Sequence, residues 1–303
     1  MSLIESALAK LRRVGDADAQ RGVLTPRTVT VAAGGAHKGA AAVVAPAPEP
    51  EVKQPSKSIT IDLKALRDKG YLPEPGLERR FADHYRQIKR PLIEKALAGG
   101  ADMRLIIVTS ALPGDGKTFT SLNLALSVAR ERDASVLLVD ADAPKERISE
   151  ILGVRGDPGL LDALADPSLD VESLVVGTDV RGLQILPAGR LVEGATELLA
   201  SARMGQIVAR LVARDPRRLV LFDSAPLLVS SEARALSRIS AQIVLVARAG
   251  VTPRRAVADA LAQVDRNKVQ GLIVNHTGVR PGEGYYYGYF GYGAGGEGNA
   301  HSP

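Results

Sequence analysis

Six apolar runs, "LIIVTS", "SVLLVDAD", "LQILP", "RLVLFDSAP", "QIVLVARA" and "GLIVNH", follow one another from Arg104 onward, and they narrow most what this chain can become. A strand with one face in water alternates apolar and polar residues. These runs are continuous, so both of their faces must be covered. Helical patterns such as "TFTSLNLALSVARE" and "ARMGQIVARLVARD" lie between them. That rhythm predicts an α/β fold in which a parallel β-sheet is flanked by helices on both faces. With 303 residues, 45% of them hydrophobic, the chain has side chains enough to fill such a core.

The first run opens into chemistry. In "VTSALPGDGKTFTSLNLALS" a strand ends near Ser110, Pro113, Gly114, Asp115 and Gly116 make a tight turn, and a helix starts near Lys117. This is the setting of a P-loop. Glycine lets backbone N–H groups converge on phosphate oxygens, the helix N-terminus adds partial positive charge, Lys117 reaches the outer phosphates, and Thr118 offers a hydroxyl to Mg²⁺. Phe119 completes the candidate nucleotide-binding stretch. Ala111 stands at the usual first glycine of G-x-x-x-x-G-K-[ST], so the match rests on "PGDGKT" and its placement. The bland alternative is an ordinary βα turn with a lysine at the helix start. Against it, Asp140 and Asp142 end one apolar run and Asp223 ends another. In a parallel sheet these carboxylates meet at the edge where the P-loop opens. One such aspartate is usually a cap; three beside a P-loop suggest a site for ATP and Mg²⁺.

The flanks read differently. Residues 1–14 place Leu3, Ile4, Ala7, Leu8 and Leu11 on one helical face, compatible with a membrane surface, a partner, or a frayed helix with no dedicated role. Residues 15–57 are an Ala/Pro/Gly-rich linker, and 58–100 a helical lead-in with a helix from about Gly76 to Ala98. The P-loop domain spans 101–278. A Gly/Tyr-rich tail, 279–303, holds five of the seven tyrosines: Tyr285, Tyr286, Tyr287, Tyr289 and Tyr292. The chain has no cysteine, which excludes a disulfide framework, a thiolate metal site and a cysteine nucleophile. Its net charge of +5 is diffuse and does not call for nucleic acid. With no apolar run of membrane-spanning length and no signal-peptide core, the expected location is the cytoplasm.

The P-loop, "VLLVDAD" and "LVLFDSAP", joined to the tyrosine-rich tail, resemble the bacterial tyrosine kinases (BY-kinases) of exopolysaccharide synthesis, a P-loop NTPase family, and most of all their exosortase-associated tyrosine autokinase branch. The resemblance runs from about Ile59 to Tyr292 and includes "YRQIKRPLIEKAL" and "LQILPAGR"; H-R-D and D-F-G are absent. It implies an ATP-dependent protein-tyrosine autokinase that phosphorylates its own tail in trans and regulates polysaccharide polymerisation and export. Lys117 would hold the β- and γ-phosphates. Thr118 and Asp142 would ligate Mg²⁺, directly or through water, and Asp223 would hold the metal's water shell. Asp140 would orient the tyrosine hydroxyl or take its proton, and Asn275 would face the adenine or simply cap a turn. Where the family shows an arginine two residues past the second aspartate, this chain has Pro144 and then Lys145, a candidate substitute.

The family's Glu-x-x-Arg-x-x-Arg assembly motif is matched by Asp83, Arg86 and Lys89, which implies a homo-oligomeric ring, against the plainer reading of a solvated charged face. The resemblance also implies a membrane partner of the polysaccharide chain-length co-polymerase type, recruiting the chain to the inner face of the cell membrane. Two rivals stand beside it. A partitioning or site-selection ATPase switch would carry an extra lysine where this chain has Leu112. A nucleotide-sensing interaction module would keep the tail as a stacking segment that never receives phosphate.

Overall fold

The computed structural model describes residues 55–142, 145 and 147–276. The expected helix over 1–14, nearly all of the linker, and the tyrosine tail lie outside the described residues.

Eight strands form one sheet: β1 (Lys57–Ile59), β2 (Leu105–Ser110), β3 (Ser135–Ala141), β4 (Val176–Thr178), β5 (Leu183–Leu186), β6 (Arg218–Ser224), β7 (Gln242–Arg248) and β8 (Val269–Asn275). Their order is β1-β4-β5-β3-β6-β2-β7-β8. The six strands read from the sequence all run parallel, but β4 pairs antiparallel with β5 and parallel with β1, so these two short strands run against the rest. The aspartate-bearing β3 and β6 and the loop-bearing β2 keep one direction, which preserves the argument from the strand ends.

Burial on both faces explains the continuous apolar runs of β2, β3, β5, β6 and β7; β8 departs from the expectation, because as the sheet's edge strand it is only half-buried, with Val274 37% exposed. Ile106, Val108, Val136, Leu138, Leu219, Leu221, Val244 and Val246 pack into one core layer, with α2 (Glu78–Ala98) and α3 (Lys117–Val128) covering it. Their strand neighbours Leu105, Ile107, Leu137, Val139, Val220, Phe222 and Ile243 face the opposite layer, against α5 (Leu160–Ala165) and α7 (Ala202–Ala213). Three shorter helices, α1 (Leu63–Asp68), α4 (Arg147–Ile151) and α6 (Ala195–Leu199), fill connections. α8 (Ser231–Ile239) and α9 (Arg254–Leu261) bury a third cluster around Leu227 and Leu245.

α2 corrects one expectation. Asp83 and Arg86 pair with each other on its exposed surface at 2.8 Å, but Lys89 is turned inward. Its ammonium donates to the Ser127 carbonyl at 2.6 Å and pairs with Glu131 at 2.7 Å, fastening α2 to the end of α3. The physical reason is helical drift: each step of three residues falls 60° short of a full turn, so Lys89 sits about 120° around the helix from Asp83.

Candidate active site

The phosphate-loop turn is built by two glycines in the left-handed region, Gly114 (φ 86°) and Gly116 (φ 95°), and Gly116 is the residue from which α3 starts. A side chain at Gly116 would be strained by the left-handed backbone, and its Cβ, 1.9 Å from the Asn275 amide nitrogen, would push that amide off the Asp115 carbonyl. Ala111 is fully buried with no positive φ, which explains why this chain dispenses with a glycine at that point.

Asp115 shapes the loop rather than lining it. Its carboxylate accepts the Leu112 N–H at 3.1 Å and the Thr252 hydroxyl at 2.6 Å, while its carbonyl accepts from the Asn275 amide at 3.2 Å. The ends of β2, β7 and β8 therefore converge on one residue. Asn275 also accepts the His276 N–H at 2.9 Å, so its amide is engaged within the protein, and the turn-capping alternative describes it better than the adenine-facing one. The Phe119 ring packs edge-on against Phe81 at 6.0 Å, leaving its backbone to serve a phosphate.

The charged groups converge as the strand directions require. Lys117, buried, lies 3.9 Å from the Asp142 carboxylate. Asp223 accepts the Thr118 hydroxyl on one oxygen at 2.8 Å and the Ser121 hydroxyl on the other at 2.9 Å. Asp140 accepts both the backbone N–H and the hydroxyl of Ser149 on Oδ2, at 2.8 and 2.7 Å. Its other oxygen, Oδ1, is buried and has no hydrogen-bond partner among the described residues. Burial raises the Asp140 carboxyl to about 7; the Ser149 bonds oppose that rise, and the charges of Asp223 and Asp142 add to it. Burial raises Asp223 to about 6 against the pull of the Lys117 ammonium and the two hydroxyls.

This donor set fits a nucleotide phosphate with Mg²⁺. Oxygen ligands from two carboxylates and a hydroxyl suit a hard cation, an orphaned buried carboxylate oxygen seeks a partner, and a glycine-lined cradle opens beside a lysine. Sequence reasoning missed Ser121, Ser149 and Thr252. Ser121 was the most findable, since it follows Thr118 by three residues on one helical face. Lys145, the candidate substitute for the missing arginine, is exposed, with its backbone N–H donating to the Asp142 carbonyl at 2.9 Å.

No protein-family model matches the chain. It is 33% identical over 195 residues to the tyrosine-protein kinase Wzc of Salmonella typhimurium, covering 63% of this chain and 26% of that protein. To the tyrosine-protein kinase YwqD of Bacillus subtilis it is 32% identical over 192 residues, covering 62% of this chain and 78% of the relative. The kinase domain of VpsO superimposes with a TM-score of 0.55 at 29% identity, over 67% of this chain and 98% of that domain. The chain thus spans about a quarter of the Salmonella relative and most of the Bacillus one. With a phosphate loop and three strand-end aspartates gathered at one sheet edge, and with most of a named relative matched at this identity, the chain belongs to the bacterial tyrosine-protein kinases.

Proposed function

We propose that this chain is an ATP-dependent protein-tyrosine autokinase that phosphorylates Tyr285, Tyr286, Tyr287, Tyr289 and Tyr292 of a neighbouring copy and thereby regulates exopolysaccharide polymerisation and export. The observation that carries this reading is the gathering of Lys117, Thr118, Asp140, Asp142 and Asp223 at the mouth of the phosphate loop in a member of this family. Bound ATP and Mg²⁺ supply the phosphoryl group and the cationic charge. Phosphoryl transfer asks the protein mainly for alignment and charge neutralisation. Backbone amides of Gly114–Thr118 cradle the phosphates, and Lys117 offsets the charge building on them. Thr118, Asp142 and Asp223 hold the metal or its waters. A tyrosine hydroxyl has an ordinary pKa of about 10 and is a poor nucleophile at neutral pH; Asp140 Oδ1 orients it and takes its proton, with an acidity suited to that exchange.

Among the described residues no helix is long and apolar enough to cross a membrane. Recruitment to the inner membrane face is assigned to a separate co-polymerase-type partner, and assembly into a ring to Asp83 and Arg86 on the exposed face of α2. The test is a mixture of an active chain cut after residue 278 with full-length Lys117→Met. Radiolabelled phosphotyrosine on the latter supports transfer between copies. Absence of phosphotyrosine from wild type incubated with Mg²⁺ and ATP, while ATP is still hydrolysed, would instead favour a regulatory ATPase switch.

A further inference from the structure

The Asp140 carboxylate does not hold itself in place. Its Oδ2 takes two hydrogen bonds from one residue, Ser149 on α4, and Ser149 is only 1% exposed. The Ser149 hydroxyl has its own fixed neighbour, because the Ala188 N–H donates to its oxygen at 3.0 Å. With that amide on one of its two lone pairs and the Asp140 oxygen 2.7 Å away, the hydroxyl is held in rotation and its single proton is directed at the carboxylate.

Ala188 is itself clamped. The Pro187 and Ala188 carbonyls accept the Leu160 and Leu161 N–H groups at 2.9 Å each. Asp162 Oδ2 accepts the Arg190 N–H at 3.1 Å and the Gly159 N–H at 2.8 Å. The backbones approach so closely that a Cβ at Gly159 would lie 2.1 Å from the Pro187 carbonyl oxygen, and one at Gly189, whose φ is +88°, would lie 2.5 Å from Asp162 Oδ2. This gives the "LPAGR" stretch, outside the phosphate loop and the strand-end aspartates, a place in the site.

We propose that Ser149 is a positioning residue for phosphoryl transfer, relaying the fixed position of the 187–190 segment to Asp140 so that Oδ2 is occupied and Oδ1 is the oxygen presented to the acceptor hydroxyl. The functional half of this statement rests on the kinase reading. Two donors on one oxygen prevent the carboxylate from flipping or turning, and a group held that way spends no reorganisation at the moment of reaction. The third anchor, the α5 N-terminal turn, makes the relay part of the fold.

The test uses the full chain with Ser149→Ala and Ser149→Thr, and reads both kinetics and amide exchange. In Ser149→Ala, kcat for tyrosine phosphorylation should fall about 10- to 100-fold while KM for ATP stays within about two-fold, since the loss reaches the base and not the phosphate loop. Ser149→Thr, which keeps the hydroxyl, should recover most of that loss. The Ala188 amide should exchange faster in Ser149→Ala and be protected in Ser149→Thr. An unchanged kcat in a folded Ser149→Ala, or a fall in kcat matched by a rise in KM, would overturn the positioning role. A wild type that makes no phosphotyrosine sinks the kinase reading; the relay is then decided by exchange alone, and unaltered Ala188 protection in Ser149→Ala overturns it.

Discussion

Asp140 and Asp223 stand directly opposite each other across the β3–β6 ladder, and both are fully buried. Burial chiefly raises each from its ordinary carboxyl value of 3.8, to about 7 and about 6; the Asp223 and Asp142 charges add to the rise at Asp140, and the Asp142 charge adds to it at Asp223. The arrangement costs stability at neutral pH and prepares a site that gains when positive charge arrives.

That relationship fixes a pH dependence. A carboxyl raised in the folded state stabilises the fold fully below its unfolded value of 3.8, and the contribution is lost as pH climbs through 6 to 7. Each unit of separation corresponds to about 1.4 kcal/mol. In metal-free buffer the melting temperature should therefore decline from pH 5 to pH 8, and Asp140→Asn should flatten the decline. Melting curves in EDTA across that range decide it; a wild-type slope unchanged in the mutant would show that Asp140 is not the titrating acid.

Lys117 is the buried ammonium facing Asp142 and Asp223. Lys117→Met should reduce tyrosine phosphorylation by at least about 100-fold while leaving the circular dichroism spectrum native. Undiminished phosphotyrosine in the folded mutant would remove the phosphate-binding role.

Thr252 reaches the loop from the β7–α9 turn, accepting the Arg248 N–H at 2.8 Å and donating to Asp115. Thr252→Val deletes that bond and costs about 1–2 kcal/mol of stability. Because the slackened element is the phosphate cradle, KM for ATP should rise several-fold with kcat nearly retained. A fall confined to kcat would argue against loop shaping.

Lys89 and Arg86 should separate cleanly. Lys89→Met breaks an intrachain anchor and should lower stability by about 1–3 kcal/mol without altering the mass of any assembly. Arg86→Glu, at the exposed pair with Asp83, should barely change the melting temperature but reduce the oligomer mass seen by light scattering. The reverse pattern would return Lys89 to the contact surface.

What the sequence made legible follows from length and spacing. Five of the six strands with continuous apolar runs were readable because both faces are buried, whereas β8 carries such a run at the half-buried sheet edge; the shared direction of β3 and β6 brought three aspartates to one edge. β1 and β4 escaped notice because three residues carry no period. Lys89 misled because charge pattern and three-residue spacing say nothing of which neighbour a side chain will meet. Ser149 was invisible for a related reason: it reaches Asp140 from nine positions on, across a strand-to-helix connection, and its second partner lies 39 residues further along. Asn275 and Phe119 stood at the expected place in the chain, but their side chains serve packing and turn closure.

The strand order also separates the chain's two exits. β1, where the linker joins, and β8, from which residues 277–303 continue, are the opposite margins of the sheet. Seven strand spacings at about 4.8 Å each put them roughly 34 Å apart. A tether pulling on the amino-terminal side therefore loads the far margin, and a neighbour engaging the carboxyl-terminal extension works at the other. On the proposed function, an anchor acting through the amino-terminal side and a neighbour taking up the tyrosines meet opposite margins of one sheet, so lengthening or shortening residues 15–57 should change where the molecule sits more than how its tyrosines are offered.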